Sequence, residues 1–221
     1  MLDDARNLRW YTDPLFKAEY PQLALDDLGA DAPHIEPGDL RAISTPMDFV
    51  GVNYYTRAVA SAGAPFDVKT SGLPLTEMGW EVYPRGLTDL LTRLHRDYTL
   101  PPVYITENGA AFKDALQDGL VRDADRTHYL QTHIAAVADA MEQGVPVVGY
   151  MAWSLMDNFE WASGYAKRFG LVHVDYSTLR RTLKDSAHWY RSLVQRWREH
   201  SGITPRAARA GVAVTLTESG V

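Results

Sequence analysis

A lone acid at the end of a long apolar run is the first feature of this sequence that could do chemistry. In Val103-Tyr104-Ile105-Thr106-Glu107-Asn108-Gly109, β-forming residues follow Pro101-Pro102 and give way to a carboxylate, an amide and a glycine. Such a run suits a strand buried on both faces, as in a parallel sheet, and Asn-Gly suits a sharp turn after it. In a β/α barrel the carboxyl ends of the strands form the active-site face, which makes Glu107 a candidate catalytic carboxylate. The competing role is a loop cap or an arginine partner, because structural ion pairs also perturb carboxylates. Two other apolar runs end in comparable chemistry. Asp48-Phe49-Val50-Gly51-Val52 leads into Asn53-Tyr54-Tyr55, and Val145-Pro146-Val147-Val148-Gly149-Tyr150-Met151 leads into Trp153, with Glu160 and Trp161 in the loop beyond.

The elements that must position these residues alternate. Residues 1–47 carry breakers at Pro14, Pro21 and Pro37-Gly38, spaced to keep helices short, with Asp39 capping a short helix through Ile43. After the first strand, residues 56–83 read as a long loop, which in a compact unit is functional or carries small structure of its own. Pro84 suits the first turn of a helix with Leu87, Leu90, Leu91 and Leu94 on one face, ending near Asp97. Asp123 is the expected side-chain N-cap of a helix to about Gln143, with Gly144 in the C-terminal left-handed turn. Tyr129, Ile134, Val137, Ala138 and Met141 form its expected apolar stripe. A last helix spans roughly 184–199, with Trp189, Leu193 and Trp197 on one face. Strand, helix, strand, helix, strand, helix implies right-handed βαβ units of a parallel sheet. Residues 201–221 have no clear period and are expected to form a disordered tail, although Val212–Leu216 could make a strand.

Composition narrows the function. The 221 residues are 46% hydrophobic with a formal charge of −6, which suits a globular protein and argues against a nucleic-acid surface. The absence of cysteine excludes disulfide and thiolate chemistry. No apolar run approaches the roughly 18 residues of a membrane span and no leader is evident, so a cytoplasmic location is expected. His128 and His133 lie five apart, off metal-ligand spacing on a helix. No glycine-rich phosphate loop follows a strand, and Ser154 lacks the glycines of a nucleophile elbow. No metal or cofactor is therefore expected.

The motifs Asp48–Tyr55, Met78-Gly79-Trp80, Tyr104–Gly109 and Trp153–Trp161, continued by Gly164-Tyr165 and Arg168-Phe169-Gly170-Leu171, are collinear and specific. Together they resemble the C-terminal part of glycoside hydrolase family 1, the β-glucosidase family of retaining (β/α)₈ barrels, from near residue 7 to about 198. The resemblance implies a partial α/β barrel, with what resemble strands six to eight in residues 1–200, and hydrolysis of β-glycosidic bonds. It makes Glu107 the nucleophile and Tyr55 the phenol that orients it, since a donor to a carboxylate favours the ionised form. It places Glu160 and Trp161 on glycone hydroxyls, Trp153 beneath the sugar, Trp80 under the leaving group, Phe169 in the glycone pocket and Asn53 facing the catalytic centre.

The departures are equally specific. No Asn-Glu-Pro occurs anywhere in the chain, so the family's general acid/base is missing, as are its early-strand sugar ligands. Retaining hydrolysis needs two carboxyls about 5–5.5 Å apart. Two readings follow: an incomplete β-glycosidase, inactive in isolation, or a non-catalytic sugar-binding remnant or subunit completed by a separate N-terminal chain. The expected partners are a β-glycoside and either that missing portion or a second copy paired through open sheet edges. Phe49, Val52, Ile105 and Val148 are the residues expected on the uncovered inward face.

Overall fold

The computed structural model describes residues 1–63, 65 and 67–200, so the expectations for residues 201–221 lie outside the described residues. The chain begins with α1 (Leu2–Asp4), a π-helical turn (Ala5–Arg9) and α2 (Trp10–Lys17), followed by α3 (Gln22–Leu28) and α4 (Asp39–Ile43). Strands and helices then alternate: β1 (Val50–Asn53), α5 (Pro84–Asp97), β2 (Val103–Asn108), the hairpin strands β3 (Leu116–Gln117) and β4 (Leu120–Val121), and α6 (Ala124–Glu142). The series closes with β5 (Val147–Ala152), the hairpin strands β6 (Val172–Val174) and β7 (Arg181–Leu183), and α7 (Asp185–His200). No helix among the described residues is long and apolar enough to cross a membrane.

Among the described residues, β1, β2 and β5 form one parallel sheet in the order β1-β2-β5, an open sheet that does not close into a barrel. The three expected strands are present, each within two residues of its expected ends. Their alternation is sharp. Val52, Val103, Ile105 and Val147 point to the side covered by α5 and α6, where they meet Leu87, Leu91, Val137 and Ala140. Full burial of Leu87 and Leu91 contributes about 1.5–3 kcal/mol each. This corrects the expected uncovered face: Val52 and Ile105 belong to the core, whereas Phe49 and Val148 are each 54% exposed. On the bare side Tyr104 lies over Gly149, where an added Cβ would come within 2.4 Å of its ring, and Phe49 meets Tyr104 edge-on at 5.4 Å.

Other expectations change in instructive ways. Pro14 does not break its helix, because α1, the π turn and α2 continue into one another and Asp13 is tied to Tyr98. Arg93 of α5 also holds Asp4 through both carboxylate oxygens. The segment 56–83 does carry small structure, a 3₁₀ turn at Val68–Thr70 and a bridge between Leu75 and Glu81. Gly144 adopts φ +92° after α6, and Gly144 N–H and Val145 N–H bond Met141 and Ala140 carbonyls, a Schellman ending. Asp123 stands at the N-cap of α6 but does not cap it with its side chain. That carboxylate instead accepts from Ser186 and Arg126. The buried stripe of α6 is Arg126, Tyr129, Leu130, His133, Ala136, Val137 and Ala140, while Ala138 and Met141 are exposed. The expected stripe is rotated because two buried positions carry polar residues. In α7, Trp197 is likewise exposed.

Candidate active site

Glu107 occupies the carboxyl end of the central strand β2, flanked by the ends of β1 and β5. The β1–β2 register runs Val50–Val103, Gly51–Tyr104 and Val52–Ile105, then skips Thr106 to pair Asn53 with Glu107. A bulge of this kind re-aims side chains at a sheet edge. Tyr54 N–H then donates to the Glu107 carbonyl at 2.9 Å, which sets Tyr55 beside the acid. The Tyr55 hydroxyl donates to Glu107 Oε2 at 2.5 Å. Burial raises the Tyr55 phenol first, and the bond to Glu107 and the charges of Glu107 and Glu160 raise it further. The phenol therefore keeps its proton and remains a donor to the carboxylate.

Aromatic rings wall this pair. Tyr55 lies 5.7 Å from Trp80 and 6.1 Å from Phe169 between ring centroids, with Trp80 and Phe169 6.3 Å apart. Phe169 is buried, packed against the tyrosine and tryptophan, whereas Trp80 is half-buried. Trp153 follows β5, its N–H bonding the Asn108 carbonyl at 2.9 Å. Gly109 lies against it so closely that a Cβ there would sit 1.8 Å from the Trp153 carbonyl oxygen, which explains the glycine after Glu107-Asn108.

Glu160 enters from the loop after β5. Burial first, and then the charge of Glu107, raise its carboxyl above the ordinary range, so the two acids share one electrostatic neighbourhood. Two acids whose fields oppose each other are common where carboxylates share a catalytic cleft. Trp161, next in the chain, has φ +41° and is 80% exposed. Asn53 is exposed on the bare side of the sheet and accepts from Thr106 at 2.6 Å. The structure thus gathers Tyr55, Glu107, Trp80 and Phe169 in contact, with Glu160 within electrostatic reach, and leaves Trp161 in solvent.

Beneath the loop that carries Glu160 lies a buried ionic cluster absent from the sequence expectations. Lys184, fully buried, reaches Asp114 at 2.5 Å and Asp157 at 2.7 Å. Arg126 reaches Asp114 at 2.8 Å and Asp123 at 2.5 Å, and Arg168 reaches Asp157 at 2.5 Å. Asp157 also accepts from Gly170 and Val174 N–H groups. Burial alone would raise the Asp157 carboxyl, but Lys184 and Arg168 hold it below the ordinary range. Gly170 is required here, since a Cβ would come within 2.1 Å of Asp157 N. A sequence signal did exist: Arg126, Tyr129 and His133 recur at i, i+3 and i+7, the spacing of one helix face.

The carboxyl edge of the parallel sheet thus carries a phenol-held carboxylate, walled by aromatics and within electrostatic reach of a second acid. A family model described as glycosyl hydrolase family 1 matches residues 3–199, and the chain belongs to that family. It is 43% identical over 194 residues to β-glucosidase A of Thermotoga maritima, covering 86% of this chain and 44% of the relative. It is 46% identical over 191 residues to a β-glucosidase of an Agrobacterium species, covering 83% of this chain and 42% of that protein. Among solved structures, a family 1 β-glucosidase from Exiguobacterium antarcticum B7 superposes with a TM-score of 0.80 at 42% identity. That match covers 91% of this chain and 46% of the other. The chain thus spans less than half the length of the relatives it matches.

Proposed function

We propose that this chain is the nucleophile-bearing part of a retaining β-glycosidase that hydrolyses β-glucosides or closely related β-glycosides. The observation that carries the reading is the 2.5 Å bond from Tyr55 to Glu107 at the carboxyl edge of the sheet. A carboxylate aimed by a phenol is what attack on an anomeric carbon requires. In the first step a Glu107 oxygen bonds to the anomeric carbon as the glycosidic C–O bond breaks, and the departing oxygen takes a proton from a general acid. Water then attacks the glycosyl ester, gives up its proton to the same residue and frees Glu107. Trp80 stacks the leaving group, Phe169 backs the glycone pocket, Trp153 lies under the sugar, and Glu160 and Trp161 bind its hydroxyls, with Asn53 facing the centre.

Residues 1–200 form, in this reading, the last part of a (β/α)₈ barrel, with β1, β2 and β5 as strands six to eight. Glu160, which the family resemblance assigns to the sugar hydroxyls, does not serve as the acid; that group and the remaining sugar ligands come from polypeptide outside this chain. General-acid help accelerates departure of a poor leaving group about 10²–10⁴-fold. The isolated chain is therefore expected to leave cellobiose intact and to show at most trace turnover of an activated aryl β-glucoside. Mixing it with a separately expressed N-terminal portion of a family member should restore turnover, and Glu107→Ala should abolish what is restored. Efficient cellobiose hydrolysis by the purified chain alone would show that other carboxylates do the work.

A further inference from the structure

Tyr55 can orient Glu107 only if its own backbone is held at the right height above β2, and that task falls to side chains from three different elements. Asn108 Nδ2 donates to the Tyr54 carbonyl at 2.8 Å and to the Tyr129 hydroxyl at 3.1 Å. The Tyr129 hydroxyl donates in turn to the Tyr55 carbonyl at 2.9 Å. From β5, the Tyr150 hydroxyl donates to Asn108 Oδ1 at 2.6 Å. With Tyr54 N–H on the Glu107 carbonyl, three backbone groups of Tyr54-Tyr55 are held.

The arrangement admits one amide orientation. Turning Asn108 over would aim its oxygen at the Tyr54 carbonyl and its NH₂ at a tyrosine hydrogen. Asn108 and Tyr129 are both fully buried, so no water can replace a missing partner. Burial, first of all, raises the Tyr129 and Tyr150 phenols, which keeps both as donors. The Tyr129 ring also stacks on His133 at 3.8 Å, which fixes it on α6 independently of its hydroxyl.

We propose that Asn108 and Tyr129 are positioning residues of the nucleophile: they touch no substrate, and they set the Tyr55 phenol against Glu107. The proposal rests on the reading of Glu107 as the nucleophile. Its immediate consequence, the Tyr55–Glu107 contact, can be read without any turnover.

The test uses the full chain labelled with ¹³C at the tyrosine ζ carbon, with Tyr55→Phe identifying the Tyr55 signal. In the parent that signal should stay protonated through the range near 10 where free tyrosine titrates. Tyr129→Phe keeps the stacked ring and removes only the hydroxyl. At neutral pH it should move the Tyr55 ζ-carbon signal toward the position of a free phenol as the bond to Glu107 loosens. Tyr150→Phe, which strips one partner from Asn108, should move the same signal less in the same direction, and stands in if Tyr129→Phe fails to fold by circular dichroism. Tyr98→Phe is the control for a merely structural loss: it removes another buried hydroxyl, bonded at 2.6 Å to Asp13, and should leave Tyr55 unmoved. A Tyr55 signal unchanged in the folded relay variant, or moved equally by Tyr98→Phe, overturns the proposal. Failure of the nucleophile reading would show separately, as restored turnover that survives Glu107→Ala.

Discussion

Replacing Lys184 with methionine removes the cation at the centre of the buried cluster and keeps most of its apolar stem. The cluster is balanced as it stands: Arg126, Arg168 and Lys184 give three positive charges, and Asp114, Asp123 and Asp157 give three negative ones. In Lys184→Met the count becomes two against three, with Asp114 and Asp157 each still held by one arginine. Removing one partner of a buried pair costs about 3–5 kcal/mol, because the other charge stays buried without compensation. The surviving arginines put the expected loss near the lower end, about 3 kcal/mol. Asp157→Asn in the same chain restores two against two and should recover at least half of that loss, the coupling expected within one network.

The pH dependence has a definite sign. In the parent, Asp157 is held below its unfolded value by Lys184 and Arg168, so its contribution is present above the unfolded carboxylate range and is lost as pH falls through the folded one. Without Lys184 the Asp157 carboxylate loses one of the two cations that hold it down and protonates at higher pH. The gap between variant and parent should therefore be widest near pH 7 and narrow on acidification. Urea unfolding followed by tryptophan fluorescence, at two protein concentrations to separate self-association, measures both effects. A variant within about 1 kcal/mol of the parent at pH 7, or a double variant whose losses simply add, would refute the account.

Two further outcomes follow from the site and the sheet. Glu160 carries a carboxyl raised by burial and by Glu107, so its ionised form costs the folded chain stability that is intact at low pH and is lost as pH rises from the unfolded to the folded value. Glu160→Gln should therefore stabilise the chain at pH 7, by a margin that vanishes in acid; the same urea titrations would expose the error if the variant were less stable at neutral pH. Phe49, Val148 and Met151 are about half exposed on a sheet with two free edges among the described residues, which invites association. Sedimentation should show the chain self-associating and Phe49→Ser with Val148→Thr shifting it toward monomer; a monodisperse parent would contradict this.

The three central strands were legible because each is an unbroken β-forming run closed by turn residues, and Gly144 announced the end of α6 for a reason of backbone geometry alone. The side on which each strand is covered was not legible. Val50-Gly51-Val52 and Val103-Tyr104-Ile105 have apolar or small residues on both sides, as parallel strands do. Nothing local therefore says that Val52 and Ile105 face the helices while Gly51 and Tyr104 face away.

The same lack of contrast hid the residues that hold the site in place. Arg126 and His133 occupy core positions of α6 while scoring as surface residues, which rotated the expected stripe toward Ala138 and Met141. Such residues are expensive to bury unless paired, so a charged side chain at core spacing is itself a sign of a partner elsewhere in the chain. For Arg126 those partners are Asp114 and Asp123, and Lys184 extends the cluster to Asp157 under the Glu160 loop. For Tyr129, on the same face, the partners are Asn108 and the backbone of Tyr55. One helix thus holds the backbone beside Glu107 through the Tyr129 hydroxyl and joins the ionic cluster through Arg126. The periodicity of its polar residues marks those ties better than the periodicity of its apolar ones.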